Sequence, residues 1–206
     1  MTELEQSTDT VSFIGGWLCL DFINTINWCD SDKPNDRIQS YPDLLVWSQQ
    51  ADILTGHEAQ QLLEEAKLHP QKAELTFMRA IALRETLFRV FSAIVDHDTP
   101  DARDLAAFNK ELREAMTLLQ IRPTKTGYTM GYQGEEKALD RILWVITRSA
   151  ANLLTSDKLS RIKKCAAPDC AWMFLDMSRN RSRRWCAMND CGNREKARRY
   201  YKRKTA

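Results

Sequence analysis

Four of the six cysteines stand as two pairs, Cys165-x4-Cys170 and Cys186-x4-Cys191, with fifteen residues between the pairs. A four-residue loop lets two thiolates turn toward one point, and the return segment is long enough to bring the second pair to it. Four soft thiolates around one ion make a closed tetrahedron, with Zn–S of about 2.3 Å. Such donors suit Zn2+ first and an iron–sulfur cluster second. Ordinary core cysteines would not be expected to show this paired spacing, so metal binding is the expected reading. With no position open for water, the site should be structural rather than catalytic. So short a segment buries little apolar surface, and metal should supply much of its folding free energy, on the order of 10–16 kcal/mol in zinc-finger peptides. Trp172, Phe174 and Trp185 are expected to form the small core around it.

The same segment is strongly basic. From Lys158 to the end there are fifteen Lys and Arg against four acids, a net of +11, which leaves the first 157 residues at −9. That asymmetry points to a polyanionic partner for the tail. Arg179, Arg181, Arg183 and Arg184 fall between the cysteine pairs. Asn193, Arg194, Lys196, Arg198, Arg199, Lys202, Arg203 and Lys204 follow the last one. In a helix beginning near Asn193, positions 194, 198 and 202 stack on one cationic face. Such a face suits phosphate contacts on double-stranded DNA. Arg194 and Arg198 are the expected base readers in a major groove, because a guanidinium fork can meet a guanine edge bidentately. Tyr200 and Tyr201 either stack on or donate to the nucleic acid, or pack on the finger. On charge alone, RNA, an acidic protein or a solvated tail remain alternatives. A homodimer would pair two half-sites and raise the specificity of so small a reader.

These residues need a scaffold. At 206 residues, with 43% hydrophobic and 28% charged residues, the chain suits one domain and a small appendage, divided here as 1–157 and 158–206. The opening MTELEQSTDT is no signal peptide and no stretch is long enough for a membrane span, so a cytoplasmic protein is expected. Around Gly15 and Gly16 a strand or turn should lead into a buried helix, followed by a loop over residues 31–36 and a helix restarting near Pro42. Thr55 and Glu58 form a capping box for a helix to about Leu68. Pro70 opens a helix whose core face is expected to carry Phe77, Ile81, Phe88, Phe91 and Val95. Thr99-Pro100-Asp101 starts another, with Leu105, Phe108, Leu112 and Leu119 as its stripe. The Gly- and Tyr-bearing stretch 121–134 reads as a hairpin. A buried helix over 135–154 should follow, facing inward with Leu139, Ile142, Leu143, Ile146, Ala150, Leu153 and Leu154.

Asp21, Asn24 and Thr25 are set among Leu20, Phe22 and Ile23, where polar groups need partners. They could line a small-molecule pocket; capping a helix or bracing the hairpin explains all three without a ligand and is preferred. Cys19 and Cys29 are expected in the core. His57, His69 and His97 fall near helix ends without metal spacing. No nucleophile elbow, phosphate loop or HExxH pattern is present, so no enzyme is expected.

The run from Leu159 to Lys204 contains Phe174-Leu175-Asp176, Ser178-Arg179-Asn180, Arg183-Arg184-Trp185-Cys186 and the tetrapeptide Cys191-Gly192-Asn193-Arg194. It resembles the CGNR zinc-finger family of bacterial regulators. That family usually carries an N-terminal ABATE domain, a stress-response regulatory module opening on Leu-Asp-Phe-x-Asn-Thr, and here Leu20-Asp21-Phe22-Ile23-Asn24-Thr25 is similar to that opening. The resemblance implies zinc at the cysteines and DNA binding through the finger. The expected fold is mainly α: a helical N-terminal domain with a small β-hairpin, and a small C-terminal four-cysteine zinc-finger module. The expected function is a zinc-dependent DNA-binding transcriptional regulator that responds to a ligand or stress through the N-terminal domain. The alternatives are an RNA-binding zinc protein or an interaction module with a structural knuckle.

Overall fold

Local signals set most of the element boundaries. The structure, a computed structural model, describes residues 13–26, 36–134 and 136–205. Residues 31–35 of the expected loop, Cys29 and Glu135 lie outside the described residues. After a bend at Gly15 and Gly16 comes α1 (Leu18–Ile23). Helix α2 (Tyr41–Gln50) is capped by Ser40, whose hydroxyl accepts from the Asp43 N–H. Helix α3 (Gly56–Leu68) starts on Thr55, where both bonds of the capping box form: the Glu58 N–H donates to Thr55 Oγ1, and the Thr55 N–H to Glu58 Oε2. Pro70 occupies the first turn of the long α4 (Pro70–Val95), where a missing N–H costs nothing. Helix α5 (Ala102–Leu118) is capped by Asp101, not by Thr99, so Pro100 stands outside the helix.

Helix α5 runs directly into β1 (Leu119–Thr124), which pairs antiparallel with β2 (Gly127–Tyr132). Helix α6 (Arg141–Leu154) begins six residues later than the apolar pattern suggested, since residues 136–140 form turns. A 3-10 turn (Leu159–Arg161) leads to β3 (Ile162–Lys164), paired antiparallel with β4 (Met173–Leu175). The chain ends on α7 (Asn193–Thr205). The molecule is thus mainly α with two small hairpins, and among the described residues no helix is long and apolar enough to cross a membrane.

The core is built where α1 meets α4 and α6. Ile142, Leu143, Ile146, Ala150 and Leu153 of α6 are fully buried, as are Leu20, Phe22 and Ile23 of α1. The buried face of α4 differs from the expected one. It carries Ala73, Ala80, Leu83, Leu87, Val90 and Phe91, while Phe77, Ile81, Phe88 and Val95 are only half buried. Small residues let α4 approach its neighbours closely, and the larger side chains cover the seam from its edge. On α5 only Phe108 of the expected stripe is buried, together with Ala115.

Core packing continues into the C-terminal segment: Ile162, Met173 and Leu175 share one apolar cluster with α1, α4 and α6. The polar residues of the Leu-Asp-Phe-x-Asn-Thr stretch make the join. Asn24 pairs both ways with the Met173 backbone, accepting from its N–H at 2.9 Å and donating to its carbonyl at 2.8 Å. The Leu175 N–H donates to the Gly15 carbonyl and the Trp172 indole to that of Ile26. Asp21 accepts from the Gly15 N–H at 2.7 Å, and a Cβ on Gly15 would meet Asp21 at 2.9 Å, so only glycine allows this approach. Thr25 donates to the Phe22 carbonyl and accepts from Arg84. Arg84 is buried on α4 and grips both oxygens of Asp36. Neither Arg84 nor Asp36 stands out in the sequence, because their partners are brought together only by the tertiary fold.

Two outcomes follow for this join. Asn24→Ala leaves the buried N–H and C=O of Met173 without partners, at about 1–3 kcal/mol per group, so a loss of roughly 2–6 kcal/mol is expected in urea denaturation. A loss within about 0.5 kcal/mol, typical of a surface change, would show that the join is dispensable. Burial pushes the Asp21 carboxyl up to about 6, against the opposing Gly15 hydrogen bond. The unfolded chain therefore releases this proton first, and stability falls as pH rises from about 4 to about 6. Asp21→Asn keeps an acceptor for Gly15 but cannot ionise. Its stability relative to the natural protein should rise across that window and level off above it; a pH-independent difference would refute the assignment.

Candidate metal centre and cationic surface

The first cysteine pair is carried by the loop of the β3–β4 hairpin. Cys165 directly follows β3, its N–H donating to the Trp172 carbonyl, and a tight turn from Ala167 to Cys170 presents the second thiol. Cys186 enters from the loop after β4. Cys191 sits in a π turn (Met188–Gly192) closed by the Gly192 N–H on the Ala187 carbonyl. A Cβ at Gly192 would lie 2.6 Å from Met188 Sδ, so a larger residue there would push the exposed Met188 side chain aside.

All four sulfurs lie within 4.8 Å of one another and all four residues are buried. The Cys170–Cys186 and Cys186–Cys191 separations are 3.7 and 3.4 Å. A tetrahedron with metal–sulfur bonds of about 2.3 Å has sulfur–sulfur edges of about 3.8 Å, so the cluster fits a four-coordinate ion. Among the described residues no other group of three or more His, Cys, Asp or Glu has metal-binding geometry. Thiols this close cannot ionise independently. Hydrogen bonds from Cys170 and Cys186 hold Cys165 below its ordinary value, and these interactions with Cys165 push Cys170 and Cys186 up. Burial raises Cys191 as well. A cation is what allows all four to become thiolates. Phe174, with Trp172 and Trp185 at its flanks, closes over the cluster.

The fifteen-residue connection is organised by Asp176, which is fully buried. Its carboxylate accepts from the Ser178 N–H and hydroxyl, the Arg183 N–H, and Lys163 Nζ at 2.7 Å. Burial opposes its ionisation, but Lys163 and Ser178 outweigh that and hold the carboxyl well below the usual range. Arg183 is taken up by the fold. Its guanidinium lies 4.1 Å from the Phe174 ring centroid and donates to the carbonyls of Ile14, Trp185 and Cys186. Expected in the sequence as a DNA contact, Arg183 fastens the cysteine loop to the N-terminal segment. Arg179, Arg181 and Arg184 are exposed, the last against Trp185.

Cations on α7 divide into two sets. Arg194 donates to Cys191 Sγ at 3.1 Å and pairs with Asp169 and Asp190; Arg198 pairs with Asp169 at 2.8 Å and with Glu195 at 2.7 Å. The two expected base readers are thus turned toward the cysteine knuckle. Asn193 donates to the Asn189 carbonyl at the start of the helix. Lys196, Arg199, Lys202 and Arg203 are exposed and make no ion pair among the described residues. Tyr200 and Tyr201 are 56% and 67% exposed and touch each other edge-on, so neither is buried in the finger.

Asp21, Asn24 and Thr25 are buried with their polar atoms bonded inside the protein, and none lines a described cavity. Asn24 braces α1 against β4, Asp21 holds the Gly15 bend, and Thr25 joins α1 to Arg84 of α4. Cys19 is buried, and burial pushes its thiol up, as expected of a core residue.

The architecture matches two family models. The ABATE model, described as a putative stress-induced transcription regulator, matches residues 16–157, and the CGNR zinc-finger model matches residues 161–204. Comparison with curated proteins gives no match. With the first model covering well over half of the chain and the second beginning where it ends, the protein belongs to the ABATE family and carries a CGNR zinc finger at its C-terminal end.

Proposed function

We propose that this chain is a zinc-dependent, DNA-binding transcriptional regulator of the cytoplasm. One observation carries the reading: four buried sulfurs within 4.8 Å lead directly into a 13-residue helix bearing seven Lys and Arg and one acid. The ion is Zn2+, held by Cys165, Cys170, Cys186 and Cys191, because a closed shell of four thiolates suits it best. Zinc supplies charge neutralisation and cross-linking there, and the chain's own residues do the rest. The knuckle fixes the start of α7, and α7 with the loop cations Arg179, Arg181 and Arg184 meets the phosphates of double-stranded DNA.

Regulation enters through the helical body. The finger is tied to α1 by Asn24 and Gly15, so a change in the body is passed to the finger and not absorbed by a flexible linker. A cavity of about 750 Å3 opens between the end of α4 and the finger, lined by Ile94, Val95, Leu159, Ile162 and Arg184 among others, and a ligand there touches both. Two copies on paired half-sites would supply the specificity that one short helix lacks.

The test combines elemental analysis with selection of genome-fragment duplexes over a salt series, on the intact chain and on Cys165→Ser. About one zinc per chain is expected, with an enriched duplex whose binding is lost in the variant. Zinc with preference for RNA would replace this reading with an RNA-binding protein. Zinc with weak binding to both polymers that vanishes at physiological salt would leave an interaction module.

A further inference from the structure

Lys202 shares the side of α7 that carries Arg194 and Arg198, while Lys196, Arg199 and Arg203 lie on a different face. Arg194 and Arg198 are one turn apart, and both reach Asp169, which belongs to the first cysteine loop, 25 and 29 residues earlier. Arg194 also donates to Cys191 Sγ. Glu195 lies beside them, its side chain only 16% exposed and bonded to Arg198. This face of the helix borders the knuckle, and although Arg194 and Arg198 stay 45% and 42% exposed, their charge is balanced locally by Asp169, Asp190 and Glu195.

Lys196, Arg199, Tyr200 and Arg203 recur at i, i+3, i+4 and i+7, the spacing of a single helical stripe. All four are exposed, and none of the three cations has an ion pair among the described residues. Like charges at these spacings each cost the isolated helix about 0.2–0.5 kcal/mol. A polyanion laid along the stripe would remove that cost. The Lys204 ammonium sits 5.0 Å over the Tyr200 ring, and Tyr200 is exposed, so its hydroxyl can donate to a phosphate.

We infer that the stripe Lys196, Arg199, Tyr200 and Arg203 is the face of α7 that meets duplex DNA. Arg194 and Arg198 are positioning residues that aim it by clamping the helix to Asp169. The inference rests on the DNA-binding reading above. It assigns the arginine of the Cys191-Gly192-Asn193-Arg194 tetrapeptide to the shell around the thiolates: its hydrogen bond to Cys191 Sγ offsets thiolate charge and fixes the first turn of the helix.

The experiment uses the full zinc-loaded chain and a fluorescent random-sequence DNA duplex, with affinity measured over a salt series and zinc loss followed after adding a chelator. Each phosphate contact contributes about 0.9 to the slope of log affinity against log salt. The triple variant Lys196→Ala, Arg199→Ala, Arg203→Ala should lower that slope by about 2–3 and keep its zinc at the natural rate of loss. Arg199→Ala alone should lower it by about 1, which keeps the inference testable if the triple variant fails to fold. Arg194→Ala and Asp169→Asn should speed zinc loss. Asp169→Asn frees two guanidinium groups, and if those were the readers its binding would tighten; the clamp assignment requires that it weaken. An unchanged slope in the triple variant, with a slope lost in Arg194→Ala at normal zinc content, would overturn the face assignment and leave the DNA-binding reading standing. Absence of duplex binding by the natural chain at every salt concentration would overturn both.

Discussion

Everything in the C-terminal segment depends on one electrostatic constraint: four sulfurs this close cannot all carry charge unless a cation lies between them. Hydrogen bonds from its neighbours hold Cys165 below its ordinary value and push Cys170 and Cys186 up, so the thiols cannot ionise independently. An ion held by these four residues would displace their thiol protons, so its affinity, and folding with it, would depend on pH. The apolar cover over the cluster is thin, comprising Phe174, Trp172, Trp185 and a few small residues. Such a cover offsets little of the entropy of ordering the loops, and a cross-link through an ion would make up the difference.

A second anchor makes the finger more than a tethered appendage. Strand β4 has one neighbour in its hairpin, and part of the hydrogen bonding it lacks on the other side is supplied by Gly15 and Asn24. Asn24 is suited to this because its amide offers an acceptor and a donor side by side, the same pair that the Met173 backbone presents in reverse. Asn24, within the stretch that marks the start of the ABATE region, is therefore used to hold the finger against the body.

How much of this could be read from the sequence depends on how local the controlling interaction is. The capping box of Thr55 and Glu58 and the start at Pro70 are decided within one turn, and they appear where expected. The cysteine spacing was legible for the same reason, since two short loops need no long-range information to converge. The buried face of α4 was misjudged because large apolar side chains draw attention, whereas close helix packing selects Ala73 and Ala80. Arg183 and Arg184 are neighbours of one residue type. Only the Phe174 ring and the Ile14 carbonyl, contributed from elsewhere in the fold, separate the structural one from the exposed one. Arg84 was silent in the sequence because its partners, Thr25 and Asp36, lie 59 and 48 residues away.

The same logic explains why a uniform run of cations is not a uniform surface. A helix with seven cations and one acid has no intrinsic preference for which side faces the protein, so an external charge must decide it. Asp169 does so from the first cysteine loop, whose position is set in turn by Cys165 and Cys170. Rotation of α7 is thus fixed by the same sulfurs that set its origin. Removing the ion would loosen Asp169 along with Cys191, and the helix would lose both its anchor and its heading. A metal site with no open coordination position would in this way govern the placement of a cationic helix while no ligand comes near the metal itself.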